Sequence, residues 1–234
     1  MSRTVNKPQF VGVVTDLFAA DSASLPRPQS FLVEQTPNWT LPTHFHLQNQ
    51  FQVFIAGSGS IGKNPIEPLT VHYASRHSGY GPLISGNEGI SYFTLRAMSD
   101  EGAWYLPESR EHLKTRIPKQ QLHAAPSSHL TTIDLQALPA PSEEILIQID
   151  NGGLAAWLIR IPPNMKIPAP AGQEIGGGRF YVVTKGSLHI GQTEMPAWAT
   201  VFVSRDDSLD LQSGFQGLEI LVLQFPEAAL ASVV

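Results

Sequence analysis

The sequence predicts an all-β protein made of two tandem antiparallel barrels. Three observations carry that expectation. Residues 51–62 (FQVFIAGSGSIG) match residues 180–191 (FYVVTKGSLHIG) at six of twelve positions, with an offset of 129. A second block, residues 89–95 (GISYFTL), lines up with residues 217–223 (GLEILVL) at an offset of 128. Two blocks in the same order at nearly the same separation mark a duplicated unit, and so long a period means two domains rather than a solenoid. Glycine and proline number 19 each, which suits strands and turns and is too many for a helix bundle.

Taken in order, residues 1–30 read as an N-terminal arm, whose apolar run from Phe10 to Val14 with Leu17 and Phe18 is suited to covering a strand edge. The first copy, residues 31–97, carries strands at 52–56, 70–73 and 91–96. The second, residues 140–226, carries strands at 145–149, 155–161, 180–184, 200–203 and 219–225. These short runs are rich in Val, Ile, Phe, Tyr and Leu, and Gly, Pro, Asn and Ser bound most of them. Residues 98–139 connect the copies, with a short helix expected at 108–114 between Pro107 and Pro118 and connecting chain at 134–141. Residues 227–234 form a tail. Gly57-Ser-Gly-Ser-Ile-Gly62 matches the dinucleotide fingerprint, but Lys63-Asn-Pro-Ile-Glu-Pro68 follows and cannot propagate the helix that fingerprint needs. These glycines are expected to serve hairpins.

Composition narrows the function. With 234 residues and 42% hydrophobic residues the chain can build a sizeable core. Only 15% of residues are charged, against about 25% in ordinary domains. That shortfall and a net charge of −5 argue against a nucleic-acid partner. There is no cysteine, which excludes disulfide frameworks, thiolate zinc sites, iron–sulfur clusters and thiol catalysis. No apolar run approaches the ~20 residues of a membrane span, and the start lacks a secretory pattern. The chain is therefore expected to be cytoplasmic, with no membrane partner, and the Asn38-Trp-Thr sequon to be coincidental. Low charge and uncovered strand edges predict a homodimer.

Four of the eight histidines, His44, His46, His72 and His77, fall within 34 residues. On an extended strand, residues two apart share a face, so His44 and His46 project together while Phe45 points away. Gln50 keeps the same parity. Neutral imidazoles converging on a point suit a divalent transition metal: Fe, Mn, Ni, Cu or Zn. Tyr73, Arg76 and Tyr80 lie nearby in sequence. His112, His123 and His129 fall in the connecting region and are expected to be solvated.

This pattern resembles the cupin superfamily, whose first motif reads H-x-H, three or four residues, Glu, six residues, Gly; here it is His44, His46, Gln50 and Gly57. The resemblance implies jelly-roll β-barrels, and with the duplication a bicupin. The ligand inventory puts any metal in the first barrel only, at one ion per chain or fewer, since the aligned positions of the second copy hold no histidine. His44, His46, Gln50 and His77 would be its ligands, with His72 the weaker alternative to His77. Two departures stand out: the family's Glu is Gln50, and its second motif has no clear match. In the second copy the offset of 129 puts Gln173, Ile175 and Arg179 at the His44, His46 and Gln50 positions, with Phe202 near that of His72. Arg179 is read as a salt-bridged structural residue. The expected function is a metal-dependent enzyme acting on a small organic, and in one form anionic, molecule. Oxygenase, isomerase and lyase chemistries stay open, with Tyr80 as acid or base. The alternative is a non-catalytic bicupin that binds a small ligand or has a structural role.

Overall fold

The structure, a computed structural model, describes residues 1–18, 27–114 and 117–227; all but the first residue of the expected tail lies outside them. The chain divides into two compact units, Met1–Ala125 and Pro126–Val234. Unit 1 contains β1 (Ser2–Lys7), β2 (Phe10–Phe18), β3 (Gln29–Gln35), β4 (Thr40–Leu41), β5 (His44–Phe45), β6 (Gln50–Ile61), β7 (Asn64–Ile66), β8 (Val71–Ala74), β9 (Leu83–Arg96), β10 (Trp104–Tyr105) and β11 (Gln121–Ala124). Unit 2 contains α1 (Thr132–Gln136), β12 (Ser142–Ile147), β13 (Ala155–Ile161), β14 (Lys166–Ile167), β15 (Gly176–Ile190), β16 (Thr193–Pro196), β17 (Thr200–Val203) and β18 (Leu211–Pro226). Every strand expected from sequence overlaps one of these.

The duplication is visible in the pairing. The main sheet of unit 1 runs β1-β2-β3-β9-β6-β8-β11, and that of unit 2 runs β12-β13-β18-β15 and on to β16 and β17. Phe51 pairs with Leu95 in unit 1, and Phe180 pairs with Leu223 in unit 2. The irregularities repeat as well. The β6–β9 ladder shifts register at Phe54/Ala56 and Gly57/Gly59, and the β15–β18 ladder at Val183/Lys185 and Gly186/Leu188. Each bulge bends its long strand, so one strand serves two parts of a barrel wall.

Glycine is required at these bends. Gly57 has φ +76, and a Cβ there would lie 2.1 Å from the carbonyl oxygen of Gly89; at Gly186, with φ +67, the distance to the carbonyl oxygen of Gly217 would be 2.0 Å. Both positions are thus strand bulges, and the hairpin glycine expected from sequence is Gly62, in the β6–β7 turn. Gly57→Ala is expected to destabilise the protein by about 3 kcal/mol, combining left-handed strain with an overpacked strand crossing. Thermal melting checks this, and an unchanged midpoint would contradict the close approach.

The segments around the barrels differ from the sequence expectation. Residues 2–18, read as an arm, form β1 and β2 and extend the sheet of unit 1 by pairing onto β3. The helix expected at 108–114 is a single 3-10 turn, Arg110–His112. The α-helix lies instead at Thr132–Gln136, where Thr131 and Asp134 form a reciprocal capping box and Leu135 is buried. A cap and one anchoring apolar side chain outweigh the helix-friendly composition of 108–114. The cores are aliphatic and aromatic in both units, with Phe54, Tyr80, Leu83 and Tyr92 in unit 1 and Trp157, Tyr181, Leu218 and Val222 in unit 2.

Candidate functional site

Unit 1 encloses a cavity of about 360 Å³. Its walls follow strand alternation: Gln29, Phe31 and Val33 from β3, Gln50 and Gln52 from β6, and Tyr92, Thr94 and Arg96 from β9 all face inward. His44, His46, Tyr80, Asp100 and Tyr105 complete its polar lining, and Val5, Phe10, Val14 and Leu41 add apolar surface. Strand β5 is held on both sides, since Tyr105 of β10 pairs with His44 and the His44 and Tyr80 backbones exchange hydrogen bonds. That clamp fixes both histidines against β6.

Four of the five expected site residues meet here: His44, His46, Gln50 and Tyr80 line the cavity together. His77 does not. Its backbone N–H donates to the His46 carbonyl oxygen at 2.7 Å, but its ring stacks on Phe45, the residue whose side chain points away from the cavity. His72, set aside in favour of His77, is the residue that faces inward. It is fully buried, 5.0 Å from the Tyr80 ring and 4.5 Å from the His123 ring, and its Nδ1 lies 2.8 Å from Gln52 Oε1. Among the others, Tyr73 packs on Phe51, His112 packs on Trp104, and His123 is tied to His72 rather than solvated.

Two residues the sequence reading missed organise the site, Arg96 and Asp100. Arg96, the last residue of β9, is only 3% exposed. Its Nε and Nη2 donate to Gln50 Oε1 at 3.2 and 2.9 Å, its Nη1 donates to Gln29 Oε1 at 2.7 Å, and its Nη2 lies 3.1 Å from His46 Nδ1. Asp100 Oδ2 takes His46 Nδ1 at 2.8 Å. The available signal was a charged residue closing an otherwise apolar strand; the second matched block ends one position short of it.

The direction of every bond in this network follows from its ends. The Pro42 carbonyl can only accept, so His44 Nδ1, at 2.7 Å, carries the proton and its Nε2 is an acceptor. The Tyr80 hydroxyl, 2.9 Å from that Nε2, therefore donates to it. Gln50 Nε2 in turn donates to the Tyr80 oxygen at 2.5 Å, and Gln50 Oε1 receives Arg96. The chain runs Arg96, Gln50, Tyr80, His44, Pro42. An amide is suited to the second place because it accepts on one side and donates on the other.

Electrostatics agree with this assignment. Burial, with help from His46 and Arg96, lowers the His44 pKa to about 3, and burial with Arg96 lowers that of His46 to about 4. Burial raises the Tyr80 hydroxyl well above its usual value. Burial alone would raise the Asp100 carboxyl, but the His46 bond and Arg96 bring it below its usual value. At neutral pH His44 and His46 are therefore neutral imidazoles and Tyr80 a neutral phenol, beside the Asp100 carboxylate and the Arg96 guanidinium.

These side chains do not fit a divalent metal. His44 Nε2 is engaged by Tyr80, His46 Nδ1 by Asp100, and a permanent cation sits against His46 and Gln50. Among the described residues no group of three or more His, Asp or Glu could hold a metal ion. The expected ligand set of His44, His46, Gln50 and His77 is thus not assembled, because Arg96 reaches the inward face of β6 and His77 lies on the other side of β5.

No protein-family model matches the sequence, and no curated protein matches it. Solved structures do. The bacterial pirin YhhW of Escherichia coli, in complex with nickel(II), is 11% identical with a TM-score of 0.57, over 97% of this chain and 98% of that one. An oxalate decarboxylase of Bacillus subtilis with Mn(II) centres is 10% identical with a TM-score of 0.56, over 97% and 77%. Salicylate 1,2-dioxygenase from Pseudoaminobacter salicylatoxidans is 11% identical with a TM-score of 0.54, over 93% and 74%. The fold is thus that of the two-barrel cupins.

Proposed function

We propose that unit 1 binds a small organic anion and moves a proton on it, as an isomerase or lyase would. The observation that carries this reading is Arg96, a buried guanidinium lining the cavity and 3.1 Å from an imidazole that Asp100 orients. A carboxylate or enolate entering the cavity meets this cation. Neutralising it removes the second-largest influence holding down the His46 pKa, so anion binding itself makes His46 a better base. Asp100 keeps the proton on His46 Nδ1, so Nε2, 3.4 Å from Arg96 Nη2, is the nitrogen that can accept one once an anion draws the guanidinium away. Tyr80, held protonated, keeps its hydroxyl proton on His44 Nε2 and so holds that ring in place. Arg3, paired with Asp16, and Lys7 of β1 also line the cavity, together with the Glu101 carboxylate.

Nuclear magnetic resonance of the histidine side chains tests this with benzoate and other simple carboxylates as probes. Saturable shifts of the His46 and His44 signals are expected. Arg96→Gln should weaken the affinity at least about tenfold, the loss of one charged hydrogen bond. No saturable shift, or equal shifts in the variant, would reject the reading.

A second reading keeps a divalent metal in this barrel, supported by the nickel(II) and Mn(II) of two structures with this fold; elemental analysis of the purified chain separates the two. Among the described residues no helix is long and apolar enough to cross a membrane. A cytoplasmic location and a homodimer belong to the same proposal, and light scattering checks the second.

A further inference from the structure

We infer that in both barrels an internal guanidinium has taken the place of a metal ion, supplied from different strands. The observation is an exchange of two residues between equivalent positions. In unit 1, Gln50 on β6 accepts from Arg96 on β9 at 2.9 Å. In unit 2, Arg179 on β15 donates to Gln224 on β18 at 2.6 Å. The neighbouring register pairs, Phe51 with Leu95 and Phe180 with Leu223, show that Gln50 corresponds to Arg179 and Arg96 to Gln224. The arginine has changed strands, and the glutamine has changed with it.

The charged group nevertheless arrives at the same place. Arg96 lies over the Phe31 ring at 5.4 Å, and Arg179 over the Trp157 ring at 5.3 Å. Phe31 pairs with Thr94 and Trp157 with Val222, which is the same register position in each sheet. Both arginines are almost fully buried, at 3% and 1% exposure. A buried guanidinium costs several kcal/mol unless its N–H groups are satisfied. Each barrel supplies neutral acceptors, Gln50 and Gln29 in unit 1 and Gln224 with the Pro170 and Ala171 carbonyls in unit 2, and unit 1 adds the Asp100 carboxylate 4.0 Å from Arg96 Nε. Arg179 is thus held by amides and carbonyls rather than by the salt bridge expected from sequence.

The strand supplying the cation is free to vary while the cation and its aromatic seat are not. That pattern marks the charge at this point as what both barrels retain. It also accounts for Gln in place of the family's Glu: a guanidinium across the strand needs an acceptor there, and the amide's second end serves Tyr80. In unit 2, Val201 stands where His72 does in unit 1, since Val201 pairs with Tyr181 as His72 pairs with Gln52, so the guanidinium with its amide partner and aromatic seat is kept where this imidazole is not.

Cobalt(II) titration of the full chain tests the inference, followed by absorption and by equilibrium dialysis. The wild type is expected to bind no stoichiometric Co(II) in the barrels. Arg96→His, which removes the guanidinium and adds a third imidazole facing His44 and His46, should gain one ion per chain. Stoichiometric Co(II) in the wild type that is lost in His44→Ala, or a folded Arg96→His protein that gains none, overturns the inference. Should Arg96→His not fold, the exchange in unit 2 decides. Arg179→Gln alone should lower the melting temperature, and Arg179→Gln with Gln224→Arg should regain most of the loss by installing the arrangement of unit 1. A double variant no more stable than the single one overturns the equivalence of the two positions.

Discussion

Below about pH 6.5, unit 1 is expected to lose stability steeply, well before unit 2 responds to acid. His44, His46 and His72 are buried and held neutral, His44 and His46 with pKa values of about 3 and about 4 and His72 well below the usual 6.5. Burial is the first cause in each; His46 adds to it at His44, Arg96 at His46, and His123 at His72. The sign follows from proton counting. Between the folded and unfolded values the unfolded chain binds one more proton per histidine, so stability is complete above 6.5 and falls as pH descends. Each histidine costs about 1.4 kcal/mol per pH unit, and three together about 4. Two such steps, about 8 kcal/mol, match the whole stability of an ordinary domain, roughly 5–15 kcal/mol. Chemical denaturation at a series of pH values, read by the fluorescence of Trp39 and Trp104, gives the slope. His72→Asn should reduce it by about a third. A flat profile between pH 6.5 and 4 would show that these rings are not buried neutral.

Removing the Glu219 carboxylate is expected to be the most damaging single change in unit 2. Its side chain is fully buried, with Arg160 Nε at 2.9 Å, Lys185 Nζ at 2.6 Å and Thr184 Oγ1 at 2.9 Å. Glu219→Ala leaves Arg160, itself nearly buried, without its closest carboxylate, holding the Ser128 carbonyl oxygen at 2.6 Å and Glu144 at 3.5 Å. Stranding a buried charge in this way costs about 3–5 kcal/mol. Burial alone would raise the Glu219 carboxyl, but the bonds from Lys185 and Arg160 outweigh it and hold the pKa below 4.5. For a carboxyl with a depressed folded pKa, the stabilisation is complete above the unfolded value and is lost as pH falls through the folded one. Acid therefore reaches this network only below about pH 4.5, whereas the loss of stability in unit 1 begins near pH 6.5. Thermal melting of Glu219→Ala at neutral pH checks the magnitude; a shift as small as that of an exposed glutamate would rule out the network as a support of the barrel.

Much of this architecture was legible in the chain. The offsets of 129 and 128 located both barrels and their central strand pairs, because a duplicated ladder keeps its bulge glycines wherever strand backbones touch. Strand parity put His44 and His46 on one face with Gln50, and all three do line the cavity with Tyr80. Parity has nothing to say of His77, which sits in a turn with φ +57 rather than on a strand. There alternation carries no information, and distance along the chain is a poor guide to direction in space.

What the sequence determined by itself is therefore local or repetitive: all-β character, two copies, the inward face of the His44–His46 strand, and a second copy without histidine ligands. The tertiary structure alone decided what the site is made of. Gln50 and Arg96 are 46 residues apart, and only the β6–β9 register brings the guanidinium onto the amide. His46 and Asp100 are 54 apart and meet only once β5 is clamped by Tyr80 and Tyr105. A ligand motif specifies which atoms can converge on a point. Whether a cation from a neighbouring strand already occupies that point depends on pairing across the sheet, which no periodicity within a single strand encodes.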